Sequence, residues 1–194
     1  MAHNRSTHRS NRQRTRLVGA GAVAVTALVL VLAIRGGDAD ETGSTDAADW
    51  DLPVLDAGPG LDQEDRVRLA DHAGQPLVVN FFASWCTSCE AELPDFRAVA
   101  DATDGTVGFV FVNSNETGNW RPMAERTGIS DRTLARDTGG TRSNGLYRSL
   151  GGSGGMPMTA FYDAEGQLAH VDLGMLSRRS LENRLVDLFG LETR

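Results

Sequence analysis

The chain has 194 residues, 40% of them hydrophobic, which is enough for one domain of ordinary size plus an appendage. All 19 basic residues are arginine, and five of them, Arg5, Arg9, Arg12, Arg14 and Arg16, precede Leu17. The remainder carries 14 Arg against 26 acidic residues, a net charge of −12, and so a body without the basic face that nucleic acid needs.

Leu17 to Ile34 is 18 residues without a charge. As a helix it spans roughly 27 Å, close to a hydrocarbon core of about 30 Å. It is long for a signal-peptide apolar region, and the "DAD" at Asp38–Asp40 is not a small-residue cleavage site. The sequence therefore predicts a cytoplasmic Arg-rich head over 1–16 and an uncleaved transmembrane anchor over 17–34, with a cleaved signal sequence as the alternative. A flexible acidic linker over 35–51 and a folded domain over 52–194 complete the expected organisation. The positive-inside rule keeps the Arg head in the cytoplasm and sends the domain outside, as a single-pass protein of the cytoplasmic membrane.

Pro76–Ala83, "PLVVNFFA", is a short apolar run rich in β-branched and aromatic residues and reads as a buried central strand. From Thr87 the spacing of Ala91, Leu93, Phe96, Val99 and Ala100 is helical, with a kink expected at Pro94. Thr106–Asn113 predicts a second buried strand. Asn119 to Gly128 predicts a short helix that Asn119 caps and Gly128 ends. Gly151–Gly155 reads as a flexible loop before Pro157; a phosphate loop would need a lysine, and the chain has none. Met158–Asp163 and Gln167–Leu173 predict a β-hairpin. Ser177 or Ser180 then caps a final helix whose Leu181, Leu185, Leu188 and Phe189 share a face. The order β-α-β-α, hairpin, helix predicts an α/β domain, a mixed sheet with helices on both faces.

The only cysteines, Cys86 and Cys89, fall in "NFFASWCTSCEAELPDF", behind the strand and at the helix start. A disulfide between such neighbours closes almost no loop and adds little stability, so the pair is better explained by chemistry. Residues i and i+3 share a helical face, close enough for a disulfide after modest adjustment. The N–H groups and dipole of the helix N-terminus favour a thiolate at Cys86. Cys86 is then the exposed attacking sulfur and Cys89 the shielded, resolving one. Zinc needs two further ligands, for which only His72 and His170 are on the same side of the membrane, so no metal is expected. A single-cysteine peroxidase is expected to place Thr three residues before its nucleophile, where Ala83 stands.

The segment "VVNFFASWCTSCEAELP" resembles the active-site segment of thioredoxin-like proteins, specifically the TlpA/ResA branch of membrane-anchored, extracytoplasmic thiol–disulfide oxidoreductases. Trp85, Cys86, Cys89, Glu92 and Pro94 match its W-C-x-x-C-x-x-E-x-P pattern, and "GGMPMTAFYDAEGQLAHVDLG" matches its cis-proline segment. The similarity covers about Leu52 to Gly190 and is strong at those two segments. It implies a thioredoxin fold with Pro157 cis beside the cysteines, Met156 presenting its backbone to a thiol substrate, and Trp85 packed beside the disulfide; a plain core aromatic is the alternative, compatible reading of Trp85. Cytoplasmic thioredoxins carry a buried Asp where Asn80 stands. Glu92, one turn beyond Cys89, is the candidate to accept its proton instead; the alternative is a solvated helix residue. The Thr87-Ser88 dipeptide matches neither strong reductants nor strong oxidants. The expected function is dithiol–disulfide exchange without a cofactor, most simply reducing the oxidised thiols (disulfides) of exported proteins, as in cytochrome maturation, with a membrane redox partner and as a monomer. An exported disulfide-forming oxidase, or a chaperone whose thiols hold metal or haem, are the alternatives.

Overall fold

The computed structural model describes residues 45–55, 65–103 and 105–191. The expected head, the apolar span Leu17–Ile34 and residues 35–44 of the expected linker lie outside the described residues.

Five strands form a mixed sheet in the order β6-β5-β4-β7-β8. These are β4 (Leu77–Phe82), β5 (Gly108–Ser114), β6 (Leu134–Asp137), β7 (Met158–Tyr162) and β8 (Leu168–Leu173). β4, β5 and β6 run parallel, while β7 is antiparallel to β4 and β8 to β7. The central strand β4 is buried at every residue. Its side chains alternate between two apolar layers: Val78 and Phe82 on one face, Leu77, Val79 and Phe81 on the other. Asn80, by the same alternation, points to the face of Val78 and Phe82.

That face is covered by helix α1 (Thr87–Ala102), which sets Cys89, Glu92, Leu93, Phe96, Val99 and Ala100 inward along a three–four spacing. The helix runs through Pro94 to Ala102. Helix α2 (Arg121–Thr127) and helix α4 (Arg178–Phe189) pack on α1. Gly128 ends α2 in the left-handed conformation, as its sequence position predicts. The cap differs slightly from expectation: Asn119 Oδ1 accepts from the Arg121 N–H, but Trp120 occupies the cap position. Ser177, rather than Ser180, caps α4 by accepting from the Ser180 N–H, and Leu181 and Leu185 are buried beneath it.

The opposite face is covered by the short helix α3 (Leu146–Ser149) and by residues from a three-stranded sheet of β1 (Thr45–Asp46), β2 (Asp49–Pro53) and β3 (Arg66–Arg68). The folded region thus begins before Leu52. Trp50, which the sequence places in the linker, is fully buried against Tyr162, with ring centroids 6.5 Å apart and edge to face. An acidic surrounding sequence hid one large apolar anchor.

β6 and α3 were not legible in "SDRTLARDTGGTRSNGLYRSL". Their connection is held by a close backbone approach of Gly139, Gly140 and Gly145, and a Cβ on Gly145 would overlap the Gly140 backbone. Gly145→Ala is therefore expected to destabilise the domain by about 2–3 kcal/mol. Gly155→Ala, where a Cβ meets nothing within 4 Å, is expected to be near neutral; urea unfolding of the two variants checks this. The glycine run before Pro157 is pinned rather than flexible. Tyr147 Oη bonds the Gly155 carbonyl and accepts from the Gly154 N–H at 3.1 Å, while Gly152 lies against the Tyr147 ring.

Candidate active site

β4 ends at Phe82, and four residues later Cys86 caps α1. The chain leaves the central strand and enters the helix with little slack, which fixes the cysteines at the sheet's edge. Cys86 and Cys89 are joined in a disulfide with Cα atoms 5.2 Å apart. Cys86 Sγ also accepts from the Cys89 N–H at 3.0 Å, one of the otherwise unpaired groups of the first turn. Cys86 is 4% exposed and Cys89 not at all. The order of accessibility is as expected, but Cys86 is less open than the sequence suggested. As cap residue it turns its sulfur back over the helix, and the neighbouring Trp85, Thr87 and Ser88 take the exposed positions.

Phe81 pairs with Met158 in the ladder between β4 and β7, so Pro157 faces the end of β4 where the cysteine loop begins. The Met156–Pro157 peptide is cis. Met156 is half-buried and Pro157 buried. Among the described residues no hydrogen bond engages the Met156 N–H or C=O, whereas the next carbonyl, of Pro157, accepts from Gly174. Exposed Leu173 and Met175 flank this edge. With Met156 and Pro157, Leu173 lines a cleft of about 260 Å³.

Trp85 is not a core aromatic: it is 45% exposed, and its Nε1–H donates to the Asn115 carbonyl at 2.9 Å. Glu92 is not a solvated helix residue either. It is fully buried and bridges three elements. Oε1 accepts from Asn80 Nδ2 at 2.8 Å, and Oε2 from the Leu176 N–H, before α4, at 2.9 Å. Asn80 Nδ2 also reaches Thr159 Oγ1 of β7 at 3.1 Å. Burial pushes the Glu92 carboxyl up to about 7, against the pull of the Asn80 and Leu176 hydrogen bonds. The strand position where thioredoxins hold an Asp and the helix position of Glu92 thus meet in one buried network.

Sequence reasoning missed Glu116, in the loop after β5. Its carboxylate accepts from the Ser84 N–H at 2.9 Å and the Ser84 hydroxyl. It also accepts from Asn113 Nδ2 at 2.8 Å and from the N–H groups of Thr117 and Gly118. Partial burial raises its pKa, but the bonds from Ser84, Asn113 and Gly118 outweigh this and hold it down at about 2. Glu116 therefore anchors the loop two residues before Cys86. The only sequence signal was an acid between Asn115 and Thr117 beside a strand end. Glu116→Gln is expected to cost about 1–2 kcal/mol at neutral pH, allowing for its partial exposure. Because the folded pKa is depressed, that stabilisation is present above the ordinary value of 4.5 and fades as pH falls toward about 2. Urea titrations of wild type and variant should converge across that window.

Neither histidine is brought to the cysteines. His72 lies beside Gly108, at the far end of β5, and His170 Nε2 is 3.1 Å from Asp172 Oδ1 on β8. Ala83, three residues before Cys86, is buried and offers no hydroxyl.

A mixed sheet with a helix-capping cysteine pair at the end of its central strand, facing a cis-proline, defines a thioredoxin-like protein. The chain belongs to the AhpC/TSA family, whose model matches residues 44–171. It is 25% identical over 144 residues to the thiol:disulfide interchange protein DsbE of Pseudomonas aeruginosa, covering 71% of this chain and 73% of that one. It is also 25% identical over 186 residues to the thiol-disulfide oxidoreductase ResA of Oceanobacillus iheyensis, covering 94% of each. In fold it is similar to a putative thiol:disulfide interchange protein DsbE from Chlorobium tepidum. That structure has a TM-score of 0.59 and 23% identity, with 75% of this chain and 96% of that one covered.

Proposed function

We propose that this chain is an exported, membrane-tethered thiol–disulfide oxidoreductase that reduces disulfides of exported proteins, apocytochromes among the candidates. One observation carries the reading: the two cysteines are bonded to each other at a helix N-terminus with a buried carboxyl one turn further on. In the reduced chain the Cys86 thiolate, favoured by the helix N-terminus, attacks one sulfur of a substrate disulfide. A Cys86–substrate disulfide forms and one substrate thiolate leaves. Cys89 then gives its proton to Glu92 and attacks Cys86 Sγ. The Cys86–Cys89 disulfide forms, the second substrate thiolate leaves, and two electrons have passed to the substrate. The free N–H and C=O of Met156 suit strand-like pairing with the substrate backbone, with Trp85 as an exposed apolar contact. A membrane redox partner returns the dithiol.

The export of the domain is supported by the Arg-rich head and the uncharged span Leu17–Ile34. The test is labelling of reduced, intact cells with a membrane-impermeant maleimide, paired with turnover of insulin disulfides by the purified chain. The proposal expects labelling without lysis and insulin reduction. Labelling only after lysis overturns the location, and a chain inert toward insulin and small disulfides overturns the activity.

A further inference from the structure

Beyond Trp85 the same edge of the sheet opens into a cleft of about 610 Å³, built by the loops that follow β5 and β6. Both strands run parallel to β4, so the cleft opens at the end where Cys86 stands. Two carboxylates line it, and both are occupied within the fold. Glu116 holds the Ser84 loop. Asp137, 4% exposed, accepts from Ser114 Oγ and from the N–H groups of Gly140, Leu146 and Tyr147. The cations are free by contrast. Arg136 and Arg142 also line the cleft, both are exposed, and among the described residues neither side chain forms a hydrogen bond or ion pair. Asn115 is committed within the fold: its C=O takes the Trp85 indole, its Oδ1 takes the Thr141 N–H, and its Nδ2 is buried. The uncommitted charged groups of the cleft are thus both cations, on a body that is otherwise strongly acidic.

Two guanidinium forks match carboxylates. The volume suits several side chains rather than one ion. Trp85, the residue before Cys86, touches the cleft wall through Asn115, so a few residues of extended substrate chain separate the cleft from the disulfide. We propose that this cleft binds acidic side chains of the substrate polypeptide a few residues from the cysteine under attack, and so selects among disulfides. This deepens the exchange reading above and rests on it.

The experiment compares kcat/KM of the full chain for disulfide-linked peptides that differ only at that position: Asp-Glu, Ser-Gln or Arg-Arg. The Arg136→Gln/Arg142→Gln double variant is measured in parallel, with hydroxyethyl disulfide as a neutral control. Wild type is expected to prefer the acidic peptide over the neutral one by about three- to tenfold, the range two exposed ion pairs supply. The double variant is expected to lose that preference while keeping wild-type rates on the neutral peptide and the control. No preference, or one that survives in the double variant, overturns the proposal. Glutathione disulfide is assayed alongside, and arginine dependence confined to it overturns the proposal in favour of a small-thiol site. Absence of turnover on the control as well would instead mark failure of the exchange reading.

Discussion

Cys89→Ser is expected to arrest the reaction halfway, leaving substrate proteins covalently attached to Cys86. The fold explains why the order cannot be reversed. Cys89 faces the apolar layer under α1 and is inaccessible, so it meets no external disulfide; it meets only the sulfur of its own helix cap, one turn away. Removing it leaves the first step intact and deletes the second. Cys86→Ser removes the attacking sulfur, and exchange should fall to the uncatalysed rate, with no trapped partners. Non-reducing gels of both variants, followed by mass spectrometry of the adducts, check this. Adducts on Cys86→Ser, or a Cys89→Ser chain that turns over normally, would reverse the assigned roles. Neither substitution removes a large apolar side chain, so both variants should fold.

The second large effect concerns Glu92. With its carboxyl at about 7, Glu92 accepts a proton from Cys89 only when ionised, so the resolving step should quicken as pH rises through about 7. Glu92→Gln keeps the shape, removes the acceptor, and should slow resolution by about 100-fold or more above that pH. Single-turnover kinetics of mixed-disulfide release, from pH 5 to 9, provide the check. The variant should lose the rising limb, whereas a purely structural role would shift all pH values alike. Stability should move in the opposite sense. The folded pKa is raised above the ordinary 4.5, so this group's stabilisation is present below 4.5 and is lost as pH rises toward about 7, by about 3 kcal/mol in all. The wild-type chain therefore carries a carboxyl that works against the fold at the pH where it serves the reaction. Glu92→Gln should flatten that slope in urea titrations.

The parts of this molecule that could be read in the sequence are those where a strong period or a tight residue pattern leaves one solution. "LVVNFF" admits only a strand covered on both faces, and the spacing from Cys89 to Ala100 only a helix with one buried stripe. Gly128 and Ser177 stop and start helices for local backbone reasons that need no tertiary context. The cis state of Pro157 was accessible through resemblance alone, since nothing local sets it. β6, α3 and the strands around Trp50 were missed because each is short and set among polar residues. Their stability comes from contacts across the fold, such as Trp50 on Tyr162 and Asp137 collecting donors from β5, the loop after β6 and α3. The same holds for the site. The cysteines announce themselves by spacing. The burial of Glu92 depends on Asn80, twelve residues away, and on Leu176, eighty-four away. Glu116 is visible only when β5 is laid beside β4, which brings its carboxylate to Ser84. Trp85 reads equally as a core residue until Asn115 holds it at the surface.

The acidity of the Cys86 thiol bears most directly on all of this, and it is measured by the pH dependence of its alkylation by iodoacetamide in the reduced chain, with Cys89 replaced by serine. A helix-capping thiolate should titrate within about 3.5–7.5. A midpoint at the ordinary value of about 8.5 would leave Cys86 without the activation that the exchange mechanism requires.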